Sequence, residues 1–215
     1  LHLSLRRQRQ MCIRDRHSQP EKKHENFEVG SPIDWCFFTM EDSLLFGSLG
    51  LSILRHADRV KIACQSLLVN TIPLILTDPK GEAWCNPTYF IMAHLSKYAK
   101  GTVLNQVIEG PTYDCEKIKD VPIVDSVVIE NKQEVVMFLV NRGDQNHTIY
   151  LDHDFDLSLT AEQIVLKSET LLDKNLRETP NKIVPNTKEI TFEKNSMIAV
   201  TAEKYSWNVV KIKKL

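Results

Sequence analysis

The spacing of apolar residues changes once along this chain, at Gly101, and that change decides what the two halves can become. Beyond it lie seven short runs rich in Val, Ile, Leu, Phe and Thr, over 123–130, 134–141, 147–152, 159–167, 189–192, 196–201 and 206–213, with polar turns between them. Runs of this length and composition are strands, and their close succession predicts antiparallel pairing in a β-sandwich of jelly-roll type. The run EVVMFLVN from Glu134 to Asn141 is apolar on both alternating faces, as a central strand covered from both sides must be. Pro180 and Pro185 interrupt ladder hydrogen bonding, so 180–186 is expected as a surface loop.

Before Gly101 the period is helical. Thr39 and Asp42 have capping-box spacing, and Glu41 and Asp42 place negative charge at a helix amino end, predicting a helix over 40–56. Leu44, Leu45, Leu49, Leu51, Ile53 and Leu54 give it a broad apolar surface. Gly47 and Gly50 inside it would each cost about 1 kcal/mol relative to Ala, so they predict close approach to a neighbour. Val60, Ile62, Ala63 and Cys64 suit a short strand buried on both sides. Asn86 and Pro87 then start a second helix, Asn as the cap and Pro in the first turn, with Tyr89, Met92, Ala93 and Ser96 on a common face.

Helix, strand, loop, helix is the order found at the close of a (β/α)8 TIM barrel, and one such unit cannot close a barrel. The fold class expected is therefore α/β plus all-β: a terminal fragment of a TIM barrel over 33–101 followed by a β-sandwich over 102–215. A barrel strand without neighbours leaves backbone groups unpaired at about 1 to 3 kcal/mol each, so 33–101 expressed alone should be poorly packed. Residues 1–32 are expected to be a disordered or non-native leader and linker. The basic stretch LHLSLRRQRQMCIRDR at 1–16 has no sustained helical face and resembles translated sequencing-adapter text.

Charge and cysteine usage exclude several function classes. Lys and Arg total 27 against 28 Asp and Glu, a formal charge of −1, without the one-signed field that nucleic-acid or anionic-membrane binding needs. No segment approaches the roughly 20 apolar residues of a membrane helix. Cys12, Cys36, Cys64, Cys85 and Cys115 are odd in number, far apart and without CxxC pairing, which fits a reducing, cytoplasmic compartment.

A search for chemistry finds no Gly-rich phosphate cradle, HExxH motif or GxSxG turn, and no cofactor is expected. His94 lies in the second helix, where an isolated His more often packs or caps than reacts. His147 and His153, with Asp152 and Asp154, lack a third convincing metal ligand and suit a solvated strand edge. His56, Asp58 and Arg59 suit a charged corner at a helix end. Glu41 and Asp42 are adjacent on a helix and diverge, whereas carboxyls that cleave a glycosidic bond oppose each other at roughly 5 to 9.5 Å. Asp78, Glu82 and Glu109 fall in or near loops and could line a cleft.

Four stretches before Gly101 carry a family likeness: EDSLLFG at 41–47, HADRVKIAC at 56–64, LVN at 68–70 and SKYAKG at 96–101. Val121-Pro122, FLVNR at 138–142 and SWNV at 206–209 continue it. In this order they resemble the end of the catalytic barrel and the accessory β-domain of α-L-arabinofuranosidases of glycoside hydrolase family fifty-one.

The resemblance implies a retaining exo-hydrolase that removes terminal α-L-arabinofuranosyl groups from arabinan, arabinoxylan or short oligosaccharides. One Glu would act as acid/base and another as nucleophile, through a covalent intermediate. The family's Asn-Glu and Asp-Glu-Trp-Asn motifs would both precede Ile33, so both catalytic glutamates are expected upstream and the isolated fragment is expected to be inactive. The intact parent is implied to be a homo-oligomer.

The family's eighth barrel strand ends Ala-Gln-Leu-Val-Asn, and its Gln reaches the sugar. Here Leu67 stands at that position, with Gln65 two residues earlier and about 6.6 Å back along an extended chain. Gln65, Leu67, Asn70 and Trp84 are thus the candidate substrate-binding residues, Asn70 at the rim and Trp84 as either a sugar-stacking platform or a core anchor. A non-catalytic carbohydrate-binding or structural β-domain is the alternative for the isolated chain.

Overall fold

A computed structural model describes residues 37–65, 68–78, 81–116, 118–193 and 197–215. The expected leader and linker at 1–32 lie outside the described residues.

The first helix, α1 (Met40–Arg55), begins where the capping signal places it. The Thr39 hydroxyl accepts from the Asp42 amide at 3.3 Å, and the Asp42 carboxylate accepts from the Thr39 amide at 2.9 Å. Two further amides of the first turn, Met40 and Glu41, donate to the carbonyls of Asp173 and Leu171 at 2.8 and 3.0 Å, docking the helix end onto a distant loop. Buried Met40, Leu44, Gly47 and Leu51 form one stripe along it. At the other end Arg55 holds the Asp125 carboxylate with both terminal nitrogens and donates to the Ser126 carbonyl at 2.7 Å.

A short antiparallel hairpin, β1 (Ile75–Thr77) and β2 (Ala83–Cys85), leads into α2 (Pro87–Tyr98). Pro occupies the first turn of α2 as expected, but the Asn86 side chain does not cap it. Instead Asn86 is fully buried, donating to the Pro73 carbonyl at 2.9 Å and accepting from the Phe38 amide at 3.3 Å. The buried face of α2 is Pro87, Thr88, Ile91 and His94 rather than the 89, 92, 93, 96 face. Phe90, Leu95 and Tyr98 pack at its margin, so the aromatic and aliphatic bulk outweighs the polarity of His94 in choosing the side that faces inward.

After α2 the chain is all β: β3 (Thr102–Val103), β4 (Thr112–Cys115), β5 (Ile118–Pro122), β6 (Val124–Glu130), β7 (Glu134–Asn141), β8 (His147–Leu151), β9 (Leu157–Lys167), β10 (Asn186–Thr191), β11 (Ile198–Ala202) and β12 (Ser206–Lys214). Each of the seven expected runs overlaps a strand, with bounds that differ by up to three residues. Six strands pair antiparallel in the order β10-β9-β12-β7-β6-β3, while β11 pairs with β8 and β4 with β5.

Strand β7 lies inside the six-stranded sheet and is covered on both faces, which explains its unbroken apolar run. Val136, Phe138 and Val140 point into a core shared with α1 and α2. Val135, Met137 and Leu139 point the other way, into a core shared with Ile198 and Val200 of β11. The molecule is thus mostly β with two helices: a helical layer, the large sheet and a two-stranded ribbon.

Helices from before Gly101 and strands from after it therefore share one core. Its centre is Trp207 of β12, fully buried, with the Phe138 ring 5.7 Å away centroid to centroid. Gly47 is what lets α1 reach it, since a β-carbon there would lie 2.8 Å from the Trp207 ring and 3.3 Å from a Val140 methyl. At Gly50 a β-carbon would lie 2.6 Å from a Leu95 methyl of α2, the free end of a side chain that can rotate away. Both glycines mark the close approaches their positions predict.

Gly47→Ala is expected to lower stability by about 1 to 2 kcal/mol, overpacking against a fixed indole outweighing the gain in helix propensity. Gly50→Ala is expected to be within about 1 kcal/mol of neutral, because Leu95 can yield. Urea midpoints of the two variants decide this, and equal losses at both sites would contradict the packing assigned to Trp207.

Candidate functional site

The segment carrying the sugar-site candidates leaves α1 at His56. Arg59 contacts the His56 ring nitrogen Nδ1 at 2.9 Å and the Asp58 carboxylate at 3.4 Å, all exposed, as a charged corner would. The buried strand expected at Val60–Cys64 does not form. Residues 60–65 are irregular, and Ile62 is 74% exposed. A strand buried on both sides needs a paired neighbour on each, and among the described residues no strand pairs with this stretch. A TIM-barrel portion is accordingly not seen. Gln65 is half-buried on this irregular segment, and Leu67 lies outside the described residues.

Order returns at 68–78. The Leu68 carbonyl accepts from the amides of Leu74 and Ile75 at 3.2 and 3.0 Å, and the Asn70 amide donates to the Ile75 carbonyl at 3.0 Å. Asn70 and Ile72 adopt φ of 61° and 49°. Asn tolerates that left-handed region, but for a β-branched Ile it is strained, so the surrounding bonds must hold it there. They are at hand. The Asn70 amide nitrogen donates to the Thr77 hydroxyl at 2.7 Å, its oxygen accepts from the Thr77 amide at 2.7 Å, and Asn86 fixes Pro73 just beyond.

Trp84 lies opposite Leu76 in the hairpin and is 6% exposed, with its Nε1 buried and without a hydrogen-bond partner among the described residues. Such an orphaned donor costs about 1 to 3 kcal/mol. The ring therefore anchors the hairpin here, with its polar end unspent.

The hairpin is tied to the loop between β9 and β10 at two levels. At its base, the buried Asn175 side chain donates to the Cys85 carbonyl at 3.0 Å and to the Ile183 carbonyl at 2.9 Å. At its tip, Arg177 bonds Glu82 through Nε at 2.7 Å and Asp78 through Nη1 at 3.0 Å. These pairings push the Arg177 guanidinium further above its already high range. Asp78 and Glu82 are thus engaged by a cation, Asp42 by the helix cap, and Glu109 is exposed. Asn175 and Arg177 went unnoticed in the sequence because a lone Asn or Arg in a polar loop carries no periodic or spacing signal.

His94 is buried away from this segment. Its Nδ1 accepts from the Trp207 Nε1–H at 3.2 Å, so the ring is neutral with its proton on Nε2. Burial, with the Lys97 charge adding to it, lowers the His94 pKa from 6.5 to about 4. His153 accepts from the Phe155 amide at 3.1 Å and stacks on its ring. Among the described residues no group of three or more His, Cys, Asp or Glu could hold a metal ion, and no helix is long and apolar enough to cross a membrane.

Residues 36–206 match the family model described as the α-L-arabinofuranosidase C-terminal domain. An intracellular exo-α-(1→5)-L-arabinofuranosidase of Bacillus subtilis is 36% identical over 200 residues, which is 92% of this chain and 40% of that protein. An exo-α-(1→6)-L-arabinofuranosidase of Bifidobacterium longum is 33% identical over 91% of this chain and 39% of its own length. Among solved structures, a family 51 α-L-arabinofuranosidase from Bifidobacterium longum superposes with a TM-score of 0.78 at 26% identity, covering 90% of this chain and 39% of that one. The Thermotoga maritima α-L-arabinofuranosidase, at 17% identity and a TM-score of 0.74, shares the fold. The chain spans about two fifths of the length of the curated relatives it matches.

The neutral His94 has a consequence for stability. Between pH 6.5 and about 4 the unfolded chain takes up a proton that the folded chain refuses, so this contribution is complete above pH 6.5 and is lost as pH falls towards 4. The full loss is about 3 kcal/mol. Asp173 and Glu203, held below the usual carboxylate range chiefly by hydrogen bonds from Lys182 and Lys167, add a loss of the same sign at lower pH. Urea unfolding between pH 6.5 and 5 should show stability falling with acid, and His94→Gln, which keeps an acceptor for Trp207, should flatten the fall. An unchanged slope in the variant would contradict the role given to His94.

Proposed function

Because this chain belongs to the α-L-arabinofuranosidase C-terminal domain family, of glycoside hydrolase family fifty-one, we propose that it works as the closing portion of a retaining exo-α-L-arabinofuranosidase. Terminal α-L-arabinofuranosyl groups of oligosaccharides or polysaccharides are the substrate, and no cofactor takes part. The parent acts inside the cell, as the names of the relatives indicate for those proteins, and, as the family resemblance implies, assembles as a homo-oligomer.

The observation that carries this reading is the exposure of apolar side chains within 60–65 and at 68–69. Ile62 is 74% exposed on the irregular segment that follows α1, and Leu68 and Val69 are 57% and 42% exposed at the start of the ordered turn. Such a stretch suits a last barrel strand whose neighbours come from upstream chain. In the complete barrel, 33–101 supplies that strand and its helices, 102–215 is the accessory β-domain, and Gln65, Leu67, Asn70 and Trp84 face or support the sugar subsite. The acid/base and nucleophile glutamates are supplied upstream, on strands this chain does not contain.

Cleavage of an aryl α-L-arabinofuranoside tests the proposal directly. This chain alone should release no aglycone above a denatured control. The gene extended upstream through Asn-Glu and Asp-Glu-Trp-Asn motifs should release it, with a loss of at least about a thousandfold on Glu→Gln at either motif. Turnover by the chain alone, abolished by a single substitution within it, would overturn the reading, and binding of arabinan without turnover by the extended protein would favour a carbohydrate-binding module instead.

A further inference from the structure

Two three-residue strands do not make a stable hairpin on their own, so the position of β1–β2 is set by what grips it. Its base is held several times over, by the burial of Leu76 and Trp84, by Asn86 on Pro73 and Leu74, and by Asn175 on Cys85. The tip bends back through two backbone bonds, Asp78 amide to Glu82 carbonyl at 2.7 Å and Gly81 amide to Asp78 carbonyl at 2.9 Å. Outward from the hairpin the tip is gripped by Arg177, which comes from the loop between β9 and β10, about one hundred residues further along the chain.

The guanidinium spans the tip. Its Nε meets Glu82 on one side of the turn and its Nη1 meets Asp78 on the other. A planar fork can hold two carboxylates at fixed separation, whereas a lysine ammonium offers one point charge. The same loop, at Leu171 and Asp173, receives the first amides of α1, so the loop that grips the hairpin is itself fixed to the helix preceding the 60–69 stretch.

We infer that Arg177 is a positioning residue: by clasping Asp78 and Glu82 it holds the outer end of a hairpin whose base is already fixed, and so steadies the Asn70–Thr77 turn and Trp84 against the sugar-binding rim. The β-domain thereby contributes to substrate binding without touching substrate. The inference rests on the proposed arabinofuranosidase reading, because that reading places the turn at the rim.

The test uses the full-length parent enzyme with Arg177→Met, Arg177→Lys and the double variant Asp78→Asn with Glu82→Gln. Amide exchange over 75–85 should speed up in all three while β7 and β12 stay protected. KM for an aryl arabinofuranoside should rise roughly threefold to tenfold with kcat within about twofold, as loss of uniform binding predicts. Lys should fail to restore either readout. Combining Arg177→Met with the double variant should add little, since all remove the same clasp. Unchanged exchange at 75–85 would overturn the inference, and so would faster exchange with an unchanged KM. An unmodified parent that cleaves no arabinofuranoside would instead sink the functional reading, and is recognised by the absence of turnover before any substitution is made.

Discussion

The indole of Trp207 is the joint between the helical layer and the sheet. It is fully buried, tilted against the Phe138 ring, overlaid by the backbone of α1 at Gly47, and its single donor is spent on His94 of α2. One side chain from the last strand thereby meets both helices. A large aromatic in this place fills volume and satisfies its polar atom at once, which is the condition under which a buried Trp stabilises a core. It also requires a neutral His94 and a helix surface without a β-carbon at position 47. The helix-breaking tendency of that glycine and the depressed basicity of that histidine are two consequences of one packing solution.

Once the helices are fixed to the sheet, the connection between them is fixed at both ends. The 68–86 region inherits that order and then adds its own, through side-chain amides rather than through ladder bonds. Asn70 satisfies a strained turn, Asn86 ties the turn to the helix start, and Asn175 ties the hairpin base to the far loop. Three buried or half-buried carboxamides do this because each offers donors and an acceptor on one short arm, which suits irregular backbone with mixed needs. The strain at Ile72 is tolerable only within such a frame.

What was legible in the sequence follows from how local each signal is. The capping box at Thr39 and Asp42, the two helix glycines and the doubly apolar run of β7 can each be read from residues within one element, and the structure keeps them. The inward face of α2 is not legible from its own residues, because a buried His looks polar until its partner Trp207, 113 residues away, is known. The strand at 60–64 failed for the opposite reason: its apolar content is real, but a buried strand is defined by its neighbours, and pattern alone does not supply them. Within the candidate site, Asn70 stood out through the LVN stretch, while Asn175 and Arg177 act across about ninety residues or more and left no mark in their own surroundings.

The contrast between 60–65 and 68–78 carries the last step. Both precede α2 and both are rich in apolar residues, yet one is irregular with Ile62 exposed and the other is turned, strained and tightly bonded. The difference lies in who supplies the partners. The ordered part finds its acceptors and donors in α2, in its own hairpin and in the loop after β9, all within this chain. Among the described residues the irregular part finds few, although it is anchored at its amino end by α1. An apolar segment held at one end and without a ladder partner among the described residues gains burial and ladder bonds on pairing, with part of its chain entropy already lost. The core around Trp207 fixes the helix from which the segment departs, so the entropy of placing that end has already been met.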